Sequence, residues 1–338
     1  MPPSRRVVAW FAPHQTHLVR QVADLAQLQL VGIGSSARAQ GLSSELDAPT
    51  LPDLRAALAS ADADLVFIAH PGAFGLSTDD ASALAEAHRR GLRVATLEPL
   101  PASAILLGEP AWTAALAADT LRIVPLMRHA AVFRDAQEVL TAFGESRTLC
   151  IESLASPREG SLGARLYLAL DFVLSILGEP ETIDAAYVAP AAGPAIHPLP
   201  SESLRELSGH LTANLRFADG RAASVVASDA AGRWSRVLTL LGPAGRLRFY
   251  DDGFEWISPE GQRRDQSRST RTRGQEPAVP PAAAAIADAL SRLLDPSTPD
   301  FGPGDHATVL AMGQAALLSA RTNQAESPIT IKRMVGAA

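Results

Sequence analysis

The chain has 338 residues, 47% of them hydrophobic and 20% charged, with a formal net charge of −6. This length accommodates two domains, and the composition supplies a core and excludes wholesale disorder. The negative balance excludes nucleic acid as a primary partner, the single Cys150 excludes internal disulfides and cysteine-rich metal sites, and no apolar run approaches the ~20 residues of a membrane span.

Pro13, His14, Gln15 and His17 arrive too early for a signal-peptide core, so a cytoplasmic protein that engages neither nucleic acid nor membrane is expected. Lys332 is the only lysine, which leaves almost no candidate for a buried catalytic amine.

In chain order, apolar runs at 7–11, 30–33, 65–69 and 94–97 predict four short buried strands. Helical periods lie between them at 17–28, 51–60 and 78–90, the last closed by Gly91. Residues 123–127 predict a fifth strand. Short strands alternating with helices of this length indicate a parallel sheet covered on both faces. Beyond it, 162–177 is a long apolar helix closed by Gly178-Glu179-Pro180. Alternating runs at 211–217 and 222–227 flank an Ala218-Asp219-Gly220 turn, and 237–241, 247–250 and 254–257 continue the pattern. Residues 262–281 are polar and arginine-rich and predict a loop, and helices at 282–294 and 305–321 close the chain. The fold class is therefore α/β. Residues 1–123 form a Rossmann-type doubly wound parallel sheet. Residues 124–338 form an α+β domain with an open, mostly antiparallel sheet and C-terminal helices packing back.

Several segments together resemble the glucose–fructose oxidoreductase and inositol dehydrogenase (Gfo/Idh/MocA) family. Residues 65–69 with His70-Pro71 look like its third Rossmann strand and turn. Residues 93–100 look like the strand that ends in Glu-Lys-Pro. Leu170-Asp171 through Leu177-Gly178-Glu179-Pro180 looks like its long helix, and 238–249 is similar to its recurring sheet segment. The resemblance implies an NAD- or NADP-dependent oxidation of sugars or polyols and oligomers assembled through the open sheet.

Against that expectation, the G-x-G-x-x-G positions are Ala9, Phe11 and His14. Phe11 would put a ring where pyrophosphate lies, and Pro13 removes an N–H donor. The family's lysine falls on Glu98. Its Asp and His on the long helix become Ala164 and Leu168, and only the second Asp survives, as Asp171. No cofactor is therefore expected. The alternative is NADP or NAD held by His14, Ser35 and Arg38, of which Ser35 and Arg38 would suit a 2′-phosphate; an N-cap and a solvated arginine are the plainer reading of that pair.

The candidate catalytic residues are Glu98, His129, Tyr167 and Asp171. His129 follows the fifth strand at its ligand-binding end, and Tyr167 and Asp171 share a helix face. His14, His70 and Glu98 lack the spacing of a metal site, so none is expected. Cys150 reads as inert packing, and His88, His197, His210 and His306 as surface or loop residues. Three functions follow: a noncatalytic or partner subunit or sugar-like-ligand binder, assembled with itself or with an active relative; a non-redox isomerase, lyase or hydrolase in the same cleft; or an atypical NAD(P)-dependent sugar or polyol oxidoreductase.

Overall fold

The computed structural model describes residues 5–35, 45–117, 120–190, 199–205, 207–268, 279–295, 297–298 and 305–336. Five strands, β1 (Arg5–Phe11), β2 (Leu28–Ser35), β3 (Leu65–Ile68), β4 (Arg93–Thr96) and β5 (Leu121–Ile123), form a parallel sheet in the order β2-β1-β3-β4-β5. β1 lies between β2 and β3, with Ala9 opposite Ile33 on one side and Phe67 on the other.

The helices of this half are α1 (Thr16–Ala26), α2 (Leu54–Ser60), α3 (Thr78–Arg89) and α4 (Pro110–Ala117). Their ends follow local chemistry: Asp53 caps α2 through Ala56 N–H at 3.2 Å, and Gln27 closes α1 in the left-handed region at φ 52°. Alternation along β1 splits the core. Val7, Ala9 and Phe11 pack toward α1, whereas Val8 and Trp10 pack toward α2 and α3.

The chain continues through α5 (Ala131–Asp135), α6 (Gln137–Phe143), β6 (Thr148–Leu154) and α7 (Leu162–Leu177). Next come β7 (Thr182–Val188), β8 (His210–Arg216), β9 (Ala222–Ser228), β10 (Ser235–Gly242), β11 (Gly245–Tyr250), β12 (Gly253–Ile257) and β13 (Arg263–Arg268). These eight strands form a second sheet in the order β13-β12-β11-β10-β6-β9-β8-β7, antiparallel except for the parallel pair β6 and β9. α7 lies across its inner face, and Leu166, Leu170 and Val173 pack there among residues from β6, β8 and β9. Finally α8 (Pro281–Leu294) returns to pack Ala283, Ile286 and Leu290 with α1, while α9 (His306–Thr322) and α10 (Pro328–Met334) stay with the second sheet. Among the described residues no helix is long and apolar enough to cross a membrane.

Three expectations need correction. The fifth strand ends at Ile123, because Pro125 has no N–H for the ladder and residues 127–129 turn as a 3-10 helix. The arginine-rich loop begins as an edge strand, β13, paired antiparallel with β12; residues 269–278 lie outside the described residues. Cys150 is exposed on the outer face of β6 and is not core packing. Lys332 sits on α10, where Nζ donates to Glu179 Oε2 at 2.7 Å.

Candidate functional site

A cavity of about 210 Å³ opens where three β-strands of the first sheet end. His14 lies in the 3-10 turn after β1, His70 follows β3, and Glu98 follows β4. Pro157 and Ser161 before α7, Arg205, Leu207 and Ser208 before β8, and Asp229 after β9 face them.

Each side chain is held by short-range chemistry. Glu98 is 7% exposed; its Oε1 accepts from Ser161 N–H at 2.8 Å and its Oε2 from Ser161 Oγ at 2.5 Å. The carboxylate thus occupies the N-terminus of α7, where free amides and the helix dipole favour an anion. Ser161 also caps α7, accepting Ala164 N–H at 3.1 Å. Asp229 Oδ1 accepts from Gly209 N–H at 2.7 Å and Ser208 Oγ at 3.2 Å. His70 Nδ1 accepts from Gly72 N–H at 3.2 Å, and the His14 ring stands edge-on to it at 6.5 Å. Burial lowers the His14 pKa against the opposing hydrogen bond to the Pro157 backbone, with His70 and Arg158 lowering it further. The balance favours the neutral ring.

The back wall is formed by residues 203–205 and 207–208, a strap between the two sheets' loops. Arg205 donates to Gly72 O and Phe74 O, Leu204 N–H to Ala102 O at 2.9 Å, and Leu207 O accepts Leu162 N–H at 2.9 Å. Gly163 makes this crossing possible, since a β-carbon there would lie 1.9 Å from Leu204 O. Among the described residues no three His, Cys, Asp or Glu side chains are arranged to hold a metal ion.

Of the predicted residues, Glu98 and His14 line the cavity. His129, Tyr167 and Asp171 do not; they meet behind it. Arg128 Nε donates to Asp171 Oδ2 at 2.9 Å, Arg128 Nη1 to His129 Nε2 at 2.9 Å, and the Tyr167 hydroxyl and His306 Nδ1 share a hydrogen bond of 2.8 Å. His306, expected at the surface, instead begins α9 against Tyr167. Leu168 and Ala164 are buried in core. Ser35 ends β2, and Arg38 lies outside the described residues. Ser161, Arg205 and Asp229 were missed, although a serine immediately before a long apolar helix is an N-cap signal.

Burial drives His306 down to about 4, and burial together with Arg128, Arg292, Arg122 and Arg134 drives His129 down to about 3. In the unfolded chain both titrate near 6.5. Between these values the unfolded state binds more protons, so stability falls as the pH drops from about 6.5 toward about 4. Urea midpoints measured across that range are expected to fall steadily, with His306 contributing on the order of 1 kcal/mol per pH unit at full slope. In His306→Gln that share of the slope disappears.

No family model matches the sequence, and no curated protein matches it. Solved structures do. Levoglucosan dehydrogenase in complex with NADH and L-sorbose superposes with a TM-score of 0.67 at 14% identity, covering 96% of this chain and 99% of that one. Myo-inositol 2-dehydrogenase from Lactobacillus plantarum gives 0.66 at 15% identity over 96% and 99% of the two chains. GenD2 from gentamicin A biosynthesis, in complex with NAD, gives 0.65 at 16% identity over 96% of each.

The chain has the Gfo/Idh/MocA fold.

In this fold class a dinucleotide places its pyrophosphate on the turn after β1 and the N-terminus of α1. That turn is closed on itself here. Ala12 N–H donates to Gln15 Oε1 at 3.1 Å, Gln15 N–H to Ala12 O at 2.8 Å, Thr16 N–H to Pro13 O, and Pro13 has no N–H. At the neighbouring end of β2, a β-carbon on Gly34 would meet the Trp10 indole at 2.0 Å, so Trp10 covers the strand end. The steric obstacle expected from Phe11 is absent: its ring is fully buried beneath the sheet because alternation along β1 points it toward α1.

Proposed function

We propose that the protein uses the cleft of an oxidoreductase fold to bind a small polyhydroxylated, sugar-like molecule without hydride transfer. The observation that carries this reading is the self-bonded turn of residues 12–15, which engages the donors a nicotinamide dinucleotide needs. The cavity lining supports the ligand class. Glu98, Asp229 and neutral His14 present acceptor atoms around a pocket whose volume suits a single sugar ring, and hydroxyl groups are the donors such acceptors select. Hydride transfer would further call for a group that moves a proton at the substrate, and Leu168, at the family's histidine position, has none. Assembly with itself or with an active dehydrogenase through the outer face of the second sheet, and a cytoplasmic location, belong to the same reading.

A second reading is acid–base chemistry without nucleotide. His14 supports it, as a neutral imidazole near a carboxylate in a cleft is equipped to accept a proton.

Calorimetric titration separates these readings from a dehydrogenase. Neither NADH nor NADPH is expected to bind at millimolar concentration, whereas a screen of inositols, hexoses and amino sugars yields a ligand whose affinity falls at least tenfold in Asp229→Asn. Micromolar binding of either nucleotide would overturn the proposal. Turnover of a screened ligand, lost in His14→Gln, would select the second reading.

A further inference from the structure

Alternation along β6 turns Ser153 to the inner face of the second sheet with Leu149 and Ile151, and alternation along β10 does the same for Arg236 with Leu238 and Leu240. The antiparallel register sets Arg236 opposite Ser153. The first turn of α7 lowers Arg165 onto the same region, so both guanidinium groups lie close to the Trp234 indole. Arg165 Cζ stands 4.2 Å from the ring centroid and Arg236 Cζ 5.0 Å.

The two cations are treated differently. Arg236 Nε donates to Asp251 Oδ1 at 2.7 Å, and Trp234 Nε1 joins the same oxygen at 3.2 Å. Arg165 has 0% exposure, and among the described residues none of its three nitrogens has a hydrogen-bond partner. Ser153 Oγ, also at 0% exposure, and Arg236 Nη1 lack partners too. Glu98 is the foremost opposite charge acting on Arg165, yet its oxygens accept from Ser161 and not from Arg165. Burial pushes the Arg165 pKa down to about 10, so the group stays charged at neutral pH.

A desolvated guanidinium without hydrogen bonds is a costly arrangement, and an indole face offers no lone pair along its N–H directions. The unpartnered atoms are all donors or, for Ser153, able to donate. A water placed among them could accept from the guanidinium groups and donate one hydrogen to Ser153 Oγ, but its second hydrogen would find no acceptor among them, whereas a simple anion only accepts.

We propose that Arg165, Ser153 and Arg236 form an internal site for one small inorganic anion of halide or nitrate size. The site lies between α7 and the sheet, behind the Glu98 wall of the cleft. Complete burial of Arg165 and Ser153 sets the size limit, since a larger anion would separate α7 from β6. The site is independent of the ligand proposed for the cleft.

The test uses bromide as the probe. Crystals of the full chain grown in sodium bromide and measured at the bromine edge are expected to show an anomalous peak within hydrogen-bond distance of Arg165 and Ser153. In solution, melting in sodium bromide should exceed that in sodium gluconate of equal ionic strength by about 3–5 °C, saturably, and the difference should vanish in Arg165→Met. If Arg165→Met melts as high as wild type or higher in both salts, Arg165 is a tolerated bare cation and the proposal falls. Peaks confined to the surface overturn it as well. Should the variant fail to fold, the wild-type bromide peak decides alone.

Discussion

Asp171→Ala is expected to lower folding stability by about 3–5 kcal/mol while leaving ligand affinity in the cleft unchanged. Asp171 accepts from Arg128 Nε at 2.9 Å, and its side chain is only 4% exposed against 22% for the arginine. Desolvation pushes the carboxyl pKa up while Arg128 pulls it down, a balance that deleting either partner destroys. Removing the carboxylate leaves a guanidinium largely out of water, with the His129 nitrogen as its remaining nearby side-chain acceptor. Urea unfolding of the single variant and of the Arg128→Met, Asp171→Leu double variant separates the terms. Replacing the whole pair by apolar groups should restore most of the loss, because the penalty lies in the orphaned charge. If Asp171→Ala instead keeps its stability and loses ligand affinity, Asp171 belongs to the site, as its place in the long helix implied.

Gly163→Ala is expected to cost about 3 kcal/mol and to weaken cleft binding about tenfold. Helix propensity alone predicts the opposite sign, as alanine is favoured over glycine by up to about 1 kcal/mol within a helix. Packing outweighs it. The new methyl would stand 1.9 Å from Leu204 O and 3.1 Å from Leu204 Cβ, and a backbone oxygen cannot rotate away as a side chain would. The strap must move, and with it Arg205, Leu207 and Ser208, which line the cavity. Thermal melts and calorimetry on the same variant read both effects. A variant that gains stability would show that the strap yields freely.

What the sequence conveyed depended on how local the cause was. β1 to β4 and α7 were legible because burial on both faces of a parallel strand, and a long apolar run closed by Gly178-Glu179-Pro180, imprint themselves on consecutive residues. Glu98 and His14 could be placed at the cavity because strand ends in such sheets face the cleft. Tyr167 and Asp171 lie away from its lining for a physical reason. Spacing of four places two side chains on one helix face, but it does not say whether that face meets the cleft or the layer carrying Arg128 and His306. Ser161, Arg205 and Asp229 come together only through the strap and the strand order, which no local pattern encodes. The edge strand β13 was hidden by its arginines, since polarity marks a solvated edge as readily as a loop.

The parallel pairing of β6 with β9 has a consequence for how the molecule assembles. On one side, β7, β8 and β9 follow one another as antiparallel neighbours; on the other, β10 to β13 do the same. β8 with β9, and β10 through β13, are nearest-neighbour hairpins with short loops to close, while β7 joins β8 across residues 189–209. β6 belongs to neither. It precedes both in the chain, is separated from β9 by the whole of α7, and touches its two sheet neighbours only across long stretches of sequence. Closing those loops costs entropy that no local contact offsets, so the two ribbons are natural early units and the insertion of β6 is the slow, cooperative step. The inner face at that junction carries Ser153 and Arg236. The same late step therefore builds the most charged part of the interior, and the protein's polar heart is sealed only when its fold is complete.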